Sequence, residues 1–199
     1  SSPSTVVKIN PATMATVAAW GGAAGWDSCD SLAYDGTYIY AGIGISPALV
    51  VKINPATMAT VAAWGGAAGQ NTGLKVISDG TYIYAGLGTS PSTVVKIDPA
   101  TMTTVAVWSS GLYGTDVTGL AFDGAFLYAT SFASPSSVIK IDPATMTTVA
   151  VWTGVAGQDS VYDLCFDGVF LYACFYTTPA SVVKINPATM ATVAAWGGA

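Results

Sequence analysis

Asp159 and Asp163 stand four residues apart in GQDSVYD, residues 157–163. Paired carboxylates are the minimum equipment for acid–base chemistry on a glycoside or an ester. Nothing of a second kind assists them, because all 11 acidic residues are Asp, all 6 basic residues are Lys, and Glu, Arg and His do not occur. Without His there is no Ser-His-Asp or Cys-His arrangement and no imidazole metal ligand. Without Arg there is no bidentate phosphate clamp, and a chain of net charge -5 lacks the basic stripe that nucleic acid requires. The expectation is a chain that is not an enzyme, carries no cofactor and binds no nucleic acid.

Binding is the chemistry these residue types suit better. Asp27, Asp30, Asp116, Asp159 and Asp163 accept hydrogen bonds, and Gln70, Asn71 and Gln158 both donate and accept them. Trp26, Tyr113 and Tyr162 add ring faces. A sugar needs this mixture, because its C–H faces stack on aromatics while its hydroxyls pair with amides and carboxylates. The same aspartates are oxygen ligands of the kind Ca²⁺ takes, but no Asp-x-Asp-x-Asp-Gly loop occurs, so no metal is expected. GIGIS at 42–46 has the glycines of a nucleotide loop without a helix behind it.

The candidates fall in four corresponding segments: GWDSCDS (25–31), GQNTGLK (69–75), YGTDVTG (113–119) and GQDSVYD (157–163). They correspond because the chain repeats. Ser-Pro recurs at 2, 46, 90 and 134 and Thr-Pro at 178, a period of 44 residues with no insertion or deletion, and residues 6–23 return letter for letter as 182–199. Each unit holds four short runs rich in Val, Ile, Tyr, Phe and Thr between turn signals, which predicts four strands and no helix. In the first unit these are residues 5–9, 15–20, 31–34 and 37–43. Asp-Gly at 35–36, 79–80, 123–124 and 167–168 predicts tight type I′ hairpins. Asn-Pro-Ala-Thr or Asp-Pro-Ala-Thr predicts a type I turn. No apolar run approaches the roughly 18 residues of a membrane helix, so membrane insertion is not expected.

Four antiparallel strands every 40–45 residues is the period of a β-propeller blade. The segment GLAFDGAFLYATSFASPSSVIKIDPATMTTVAVW, residues 119–152, resembles the repeat of the NHL and YVTN propeller families. The resemblance implies an all-β propeller and no particular chemistry. In its frame the inner strand A begins near Ser31, and the outer strand D ends at Trp20, Trp64, Trp108, Trp152 and Trp196. The 199 residues then form a single domain, with an outer C–D hairpin at 1–26 and A–B–C–D blades at 27–66, 71–110, 115–154 and 159–198. Two rings satisfy this count. One is four-bladed with a redundant terminal hairpin; the other has five positions and an incomplete blade.

The same frame puts the D-to-A and B-to-C loops on one face of the ring and the Asp-Gly and Asx-Pro turns on the other. The copies differ mostly on the first face, which is how a uniform scaffold presents a binding surface. The repeated Trp is expected between blades. Lys8, Lys52, Lys96, Lys140 and Lys184 are expected to be charges that keep flat edge strands from pairing. Cys165 is expected opposite Phe170 and Cys174 opposite Val161, all three cysteines being buried thiols. Cys29 and Cys174 meet only if the first and last blades are neighbours. The leading functional expectation is a binding or adhesion module for a glycan or a protein surface, with self-association through the redundant hairpin. The alternative is a structural, recently amplified or designed repeat chain with no evolved ligand.

Overall fold

The computed structural model describes residues 3–71, 75–111 and 114–197. Strands β1 (Thr5–Ile9) and β2 (Thr16–Gly21) form a two-stranded sheet by themselves. The first blade contains β3 (Cys29–Tyr34), β4 (Ile39–Ile43), β5 (Leu49–Asn54) and β6 (Ala59–Gly65). The second contains β7 (Lys75–Ser78), β8 (Ile83–Leu87), β9 (Thr93–Asp98) and β10 (Thr103–Ser109). The third contains β11 (Leu120–Phe122), β12 (Leu127–Ser131), β13 (Ser137–Asp142) and β14 (Thr147–Thr153). The fourth contains β15 (Val161–Phe166), β16 (Leu171–Phe175), β17 (Ser181–Asn186) and β18 (Ala191–Gly197). Every blade is antiparallel with its strands in chain order, and the inner strands pack in the sequence β3, β7, β11, β15.

The C-terminal hairpin β17–β18 therefore completes the last blade, and β1–β2 stands as a half-blade packed on the first. Of the two expected arrangements, five positions with one incomplete describes the molecule. Among the described residues, β3 and β15 lack the side-by-side packing that joins β3 to β7.

Middle strands are buried on both faces because each blade is sandwiched, so β8 and β12 are buried throughout and read as continuous runs rather than alternating ones. Four apolar clusters lie between successive blades. Tyr40, Val50 and Trp64, for example, pack on Val95, Ile97 and Met102 of the next blade.

Two hydrogen bonds recur at every junction. The indole N–H of Trp20, Trp64, Trp108 and Trp152 donates to Oγ1 of Thr60, Thr104, Thr148 and Thr192, at 2.9, 2.9, 3.0 and 2.9 Å. Nζ of Lys8, Lys52, Lys96 and Lys140 donates to the carbonyl of Pro55, Pro99, Pro143 and Pro187, at 3.0, 2.8, 2.7 and 2.9 Å. This corrects the expected role of the lysines. Lys8, Lys52, Lys96 and Lys140 are not edge charges but blade-to-blade staples, and Lys96 and Lys140 are only 7% and 8% exposed. Their stems cross apolar surface, and Lys52, Lys96 and Lys140 also lie about 4 Å above the rings of Tyr38, Tyr82 and Phe126.

Each C–D pair carries one bulge. Ile53 pairs with Thr60 and Lys52 with Ala62, which leaves Val61 as an extra residue, and the same shift occurs in β1–β2, β9–β10, β13–β14 and β17–β18. Side chains alternate with period two, so residues four apart on a regular strand share a face. The extra residue moves Thr60 and Trp64 to opposite faces. One short strand thus accepts from the preceding blade and donates to the following one.

The Asp-Gly connections are longer than expected. Tyr34 pairs with Ile39, so the loop contains residues 35–38, and in it Gly36 has a φ of 95°. It is not a type I′ turn centred on Asp35-Gly36: Asp35 opens the loop, donating its N–H to the Tyr38 carbonyl at 3.3 Å while its Oδ1 accepts the N–H groups of Thr37 and Tyr38, both at 2.7 Å. The two added residues shift the register. Cys165 lies opposite Tyr172 rather than Phe170, and a bulge near Tyr162 puts Cys174 opposite Asp163 rather than Val161. The Asx-Pro connection is also wider than a type I turn. Asn54 pairs with Ala59, the Met58 N–H donates to the Asn54 carbonyl at 2.8 Å, and Met58 has a φ of 53°.

Candidate functional site

The face carrying the Asp-Gly and Asx-Pro loops uses its carboxylates internally. Oδ2 of Asp35, Asp79 and Asp123 accepts the hydroxyl of Tyr40, Tyr84 and Tyr128, each at 2.7 Å, while Oδ1 caps the loop. Burial, then the bond to the carboxylate and its charge, pushes each of these tyrosines well above the usual phenol range. Burial would raise Asp35 and Asp123 too, but the donated hydrogen bonds and the nearby lysine outweigh it, so both are lowered. These acids hold the loops together and leave little capacity for a ligand.

The opposite face contains the candidates. At equivalent places in the four copies stand Trp26, Gln70, Gly114 and Gln158, and the carbonyl of each accepts a backbone N–H from the B-to-C side: Ser4, Ala48, Ser92 and Ser136. Gln70 and Gln158 also turn their side-chain oxygens onto the N–H of Ala67 and Val155, at 2.8 and 2.9 Å. Trp26 is half-buried and stacks on Trp20, with ring centroids 6.2 Å apart. These three close loops.

The next position in the loop ties the two loop sets together. Asn71 and Asp159 accept the hydroxyls of Ser46 and Ser134, at 2.7 and 2.9 Å. Asp27 is exposed in the equivalent loop, and Asp30 accepts the hydroxyl of Ser28. Asp116, at a φ of 47°, donates its N–H to the Thr89 carbonyl at 3.0 Å. Tyr113 lies outside the described residues. Asp163 sits 3.9 Å from Lys75, an ion pair that reaches from the fourth blade to the second over the short strand β11. Asp159 and Asp163 thus have separate partners rather than facing one common reacting atom.

Tyr162 is different. It is 65% exposed and meets Tyr176, 82% exposed, with ring centroids 6.4 Å apart and planes tilted by 40°. The pair joins the start of β15 in the last blade to the B-to-C loop that follows β16. Sequence reasoning missed Tyr176 because it compared only the D-to-A segments. The corresponding B-to-C position reads Gly44, Gly88, Phe132 and Tyr176, so a change from glycine to aromatic was available as a signal. Beside this corner, Gln158, Thr177, Pro179 and Trp196 line an open cleft of about 310 Å³.

The cysteines are free, and Cys165 is exposed rather than buried, because it lies on the outward face of the last blade, which no further blade covers. Burial and the neighbouring carboxylates raise the thiols of Cys29 and Cys165, which keeps them protonated. Among the described residues, no three Asp or Cys side chains converge as a metal ion would require.

An apolar hollow of about 420 Å³ lies against Leu32, Tyr34, Ile39 and Pro55, where the half-blade β1–β2 has no inner strands. Four complete blades and a half-blade, joined by one repeated junction, settle the architecture. The fold is propeller-like. Comparison with solved structures agrees: hydrazine synthase of Kuenenia stuttgartiensis superposes with a TM-score of 0.72 over 92% of this chain at 14% identity. A protein of unknown function from Bacteroides caccae superposes with a TM-score of 0.68 over 98% at 15% identity. The chain spans 60% of the length of the former and 70% of the latter. At such identities the likeness concerns the fold alone, and 913 solved chains match, so the propeller-like architecture is too widespread to specify a chemistry. No family model and no curated protein matches the chain.

Proposed function

We propose that this propeller-like chain, with repeats of the NHL/YVTN type, is a non-enzymatic binding module whose loop face takes a carbohydrate. The exposed Tyr162–Tyr176 pair carries the reading. Two tilted rings open to solvent form a platform for the C–H face of a sugar, and the adjacent cleft offers the side-chain N–H groups of Gln158 as donors and the Thr177 hydroxyl oxygen as an acceptor. Protonated thiols and the separately partnered Asp159 and Asp163 support a binding role over a catalytic one.

A glycan array tests it, with the chain compared against Tyr162→Ala and Tyr176→Ala. Binding that falls at least tenfold in both variants, with unchanged melting, is the expected result. Silence across the array overturns the reading. One observation favours a structural chain with no evolved ligand instead: Gln70, Asn71, Gln158 and Asp159 are all engaged in holding their own loops. That reading predicts the same silence with sugars, peptides and Ca²⁺ alike.

A further inference from the structure

Every junction in the molecule has a donating side and an accepting side. The donating side presents Tyr, Val, Lys and Trp; at the third blade these are Tyr128, Val138, Lys140 and Trp152. The accepting side presents Val183, Ile185 and Met190, the Pro187 carbonyl and the Thr192 hydroxyl. Four junctions consume four of each, and one of each is left over at the two ends.

At the fourth blade the donating side is uncovered. Trp196 is 61% exposed, whereas Trp20, Trp64, Trp108 and Trp152 are 4% exposed or less. Tyr172, Val182, Lys184 and Trp196 line a shallow apolar depression there. Nζ of Lys184 lies over the rings of Phe170 and Tyr172 and acts on the Asp167 carboxylate, all in its own blade. At the half-blade β1–β2 the accepting side is uncovered. Val7 and Ile9 are exposed, and Met14 is 74% exposed where Met58, Met102, Met146 and Met190 are 7% or less.

We infer that these two faces bind each other between copies: the donating side of one chain's fourth blade receives the β1–β2 half-blade of a second copy. Residues 6–23 and 182–199 are identical, so β1–β2 is the same hairpin as β17–β18. That hairpin is already seated on a donating side of the required composition, because Tyr172, Val182, Lys184 and Trp196 repeat Tyr128, Val138, Lys140 and Trp152. The contact between copies pairs Trp196 with Thr16 and Lys184 with the carbonyl of Pro11, as Trp152 pairs with Thr192 and Lys140 with Pro187. Both halves of the contact exist in one chain at opposite ends of the blade series. The interface is heterologous, since each copy uses one patch and offers a different one. It is independent of any glycan.

Light scattering after size exclusion, over a concentration series of the full chain, tests the inference. The mass is expected to rise with concentration above that of one chain. Ile9→Lys blocks the accepting end and Trp196→Asp the donating end, and each alone is expected to leave a single chain at every concentration. Mixed, the two variants retain one good end of each kind, so a species of two chains forms and grows no further. Met14→Asp and Lys184→Asp serve as a second pair if either first variant melts early. A single chain at all concentrations overturns the inference, as does an assembly that survives Trp196→Asp, which would indicate exchange of hairpins or another surface. A mixture that stays single-chain overturns it equally.

Discussion

The indole of Trp152 donates to Thr192 at 2.9 Å, and the indole of Trp196, forty-four residues later at the equivalent position of the next repeat, has no blade of its own chain to meet among the described residues. Identical residues at equivalent positions therefore differ in energetic role according to whether another blade covers them. Trp108→Phe removes an indole N–H and leaves the Thr148 hydroxyl without its donor. It is expected to cost about 1–3 kcal/mol in urea unfolding. Trp196→Phe is expected to stay within about 0.5 kcal/mol of the parent.

The lysines repeat that contrast. Lys96→Met retains most of the stem but withdraws the donor from the carbonyl of the half-buried Pro143, and hydrogen bonds from charged groups contribute about 1.5–3 kcal/mol. A loss of that size is expected, against a change within about 0.5 kcal/mol for Lys184→Met. Equal losses in the two variants would show that the staple is not what stabilises the junction.

Met14 and Met58 share a left-handed backbone, with φ of 54° and 53°. A non-glycine residue there carries about 1–3 kcal/mol of strain, part of which glycine recovers at the cost of added chain entropy. Met14→Gly removes an exposed side chain and is expected to raise stability by about 0.5–1 kcal/mol in dilute solution. Met58→Gly empties a packed junction and is expected to lose about 2–4 kcal/mol. Thermal melts of the pair check the opposite signs.

Asp123 and Tyr128 set two limits on the pH range of stability. Burial, then the bond to Asp123 and its charge, raises the Tyr128 pKa, so its contribution is complete below the unfolded value of about 10 and is lost as pH climbs towards the folded one. Burial would raise Asp123, but its donated hydrogen bonds and Lys140 lower it overall. Its contribution is present above the unfolded value of about 3.9 and disappears as pH falls through the folded one. Melting temperature is expected to fall at the acid and alkaline ends, with the raised thiols of Cys29 and Cys165 beginning the alkaline fall before Tyr128 contributes to it. In Tyr128→Phe the alkaline fall should weaken; an unchanged alkaline limb would remove this pair from the explanation.

The packing of Gly119 sets a further test. A Cβ at Gly119 would lie 2.6 Å from the backbone nitrogen of Leu164, whereas one at Gly21 meets nothing within 4 Å. Gly119→Ala is expected to cost about 1–3 kcal/mol by forcing the third and fourth blades apart, and Gly21→Ala to be tolerated. Paired denaturation curves decide it.

Much of the architecture was legible in the chain itself. The 44-residue period, the four short β-rich runs per unit, and the Asp-Gly and Asx-Pro punctuation determined an all-β repeat fold, because strand propensity and turn chemistry are local properties. The absence of His, Arg and Glu shaped the functional expectation in the same direct way. Loop width was less accessible: Asp35 caps two N–H groups instead of entering a tight turn, and those two residues moved the partner of Cys165 from Phe170 to Tyr172.

Tertiary structure alone decided what each repeated residue does. Val61 reads like any other β-branched strand residue, and only its missing partner across the sheet reveals the bulge that sends Thr60 and Trp64 to opposite blades. The lysines read as solvated charges until the next blade supplied a proline carbonyl 47 residues away. The Tyr162–Tyr176 pair was hidden because its members lie at the start of β15 and just after β16, and only the pairing of those strands brings them together. The common reason is physical. Period and propensity are carried by neighbours along the chain, whereas register, coverage and partnership arise from how whole blades stack, and an identical hairpin is buried at one end of that stack and exposed at the other.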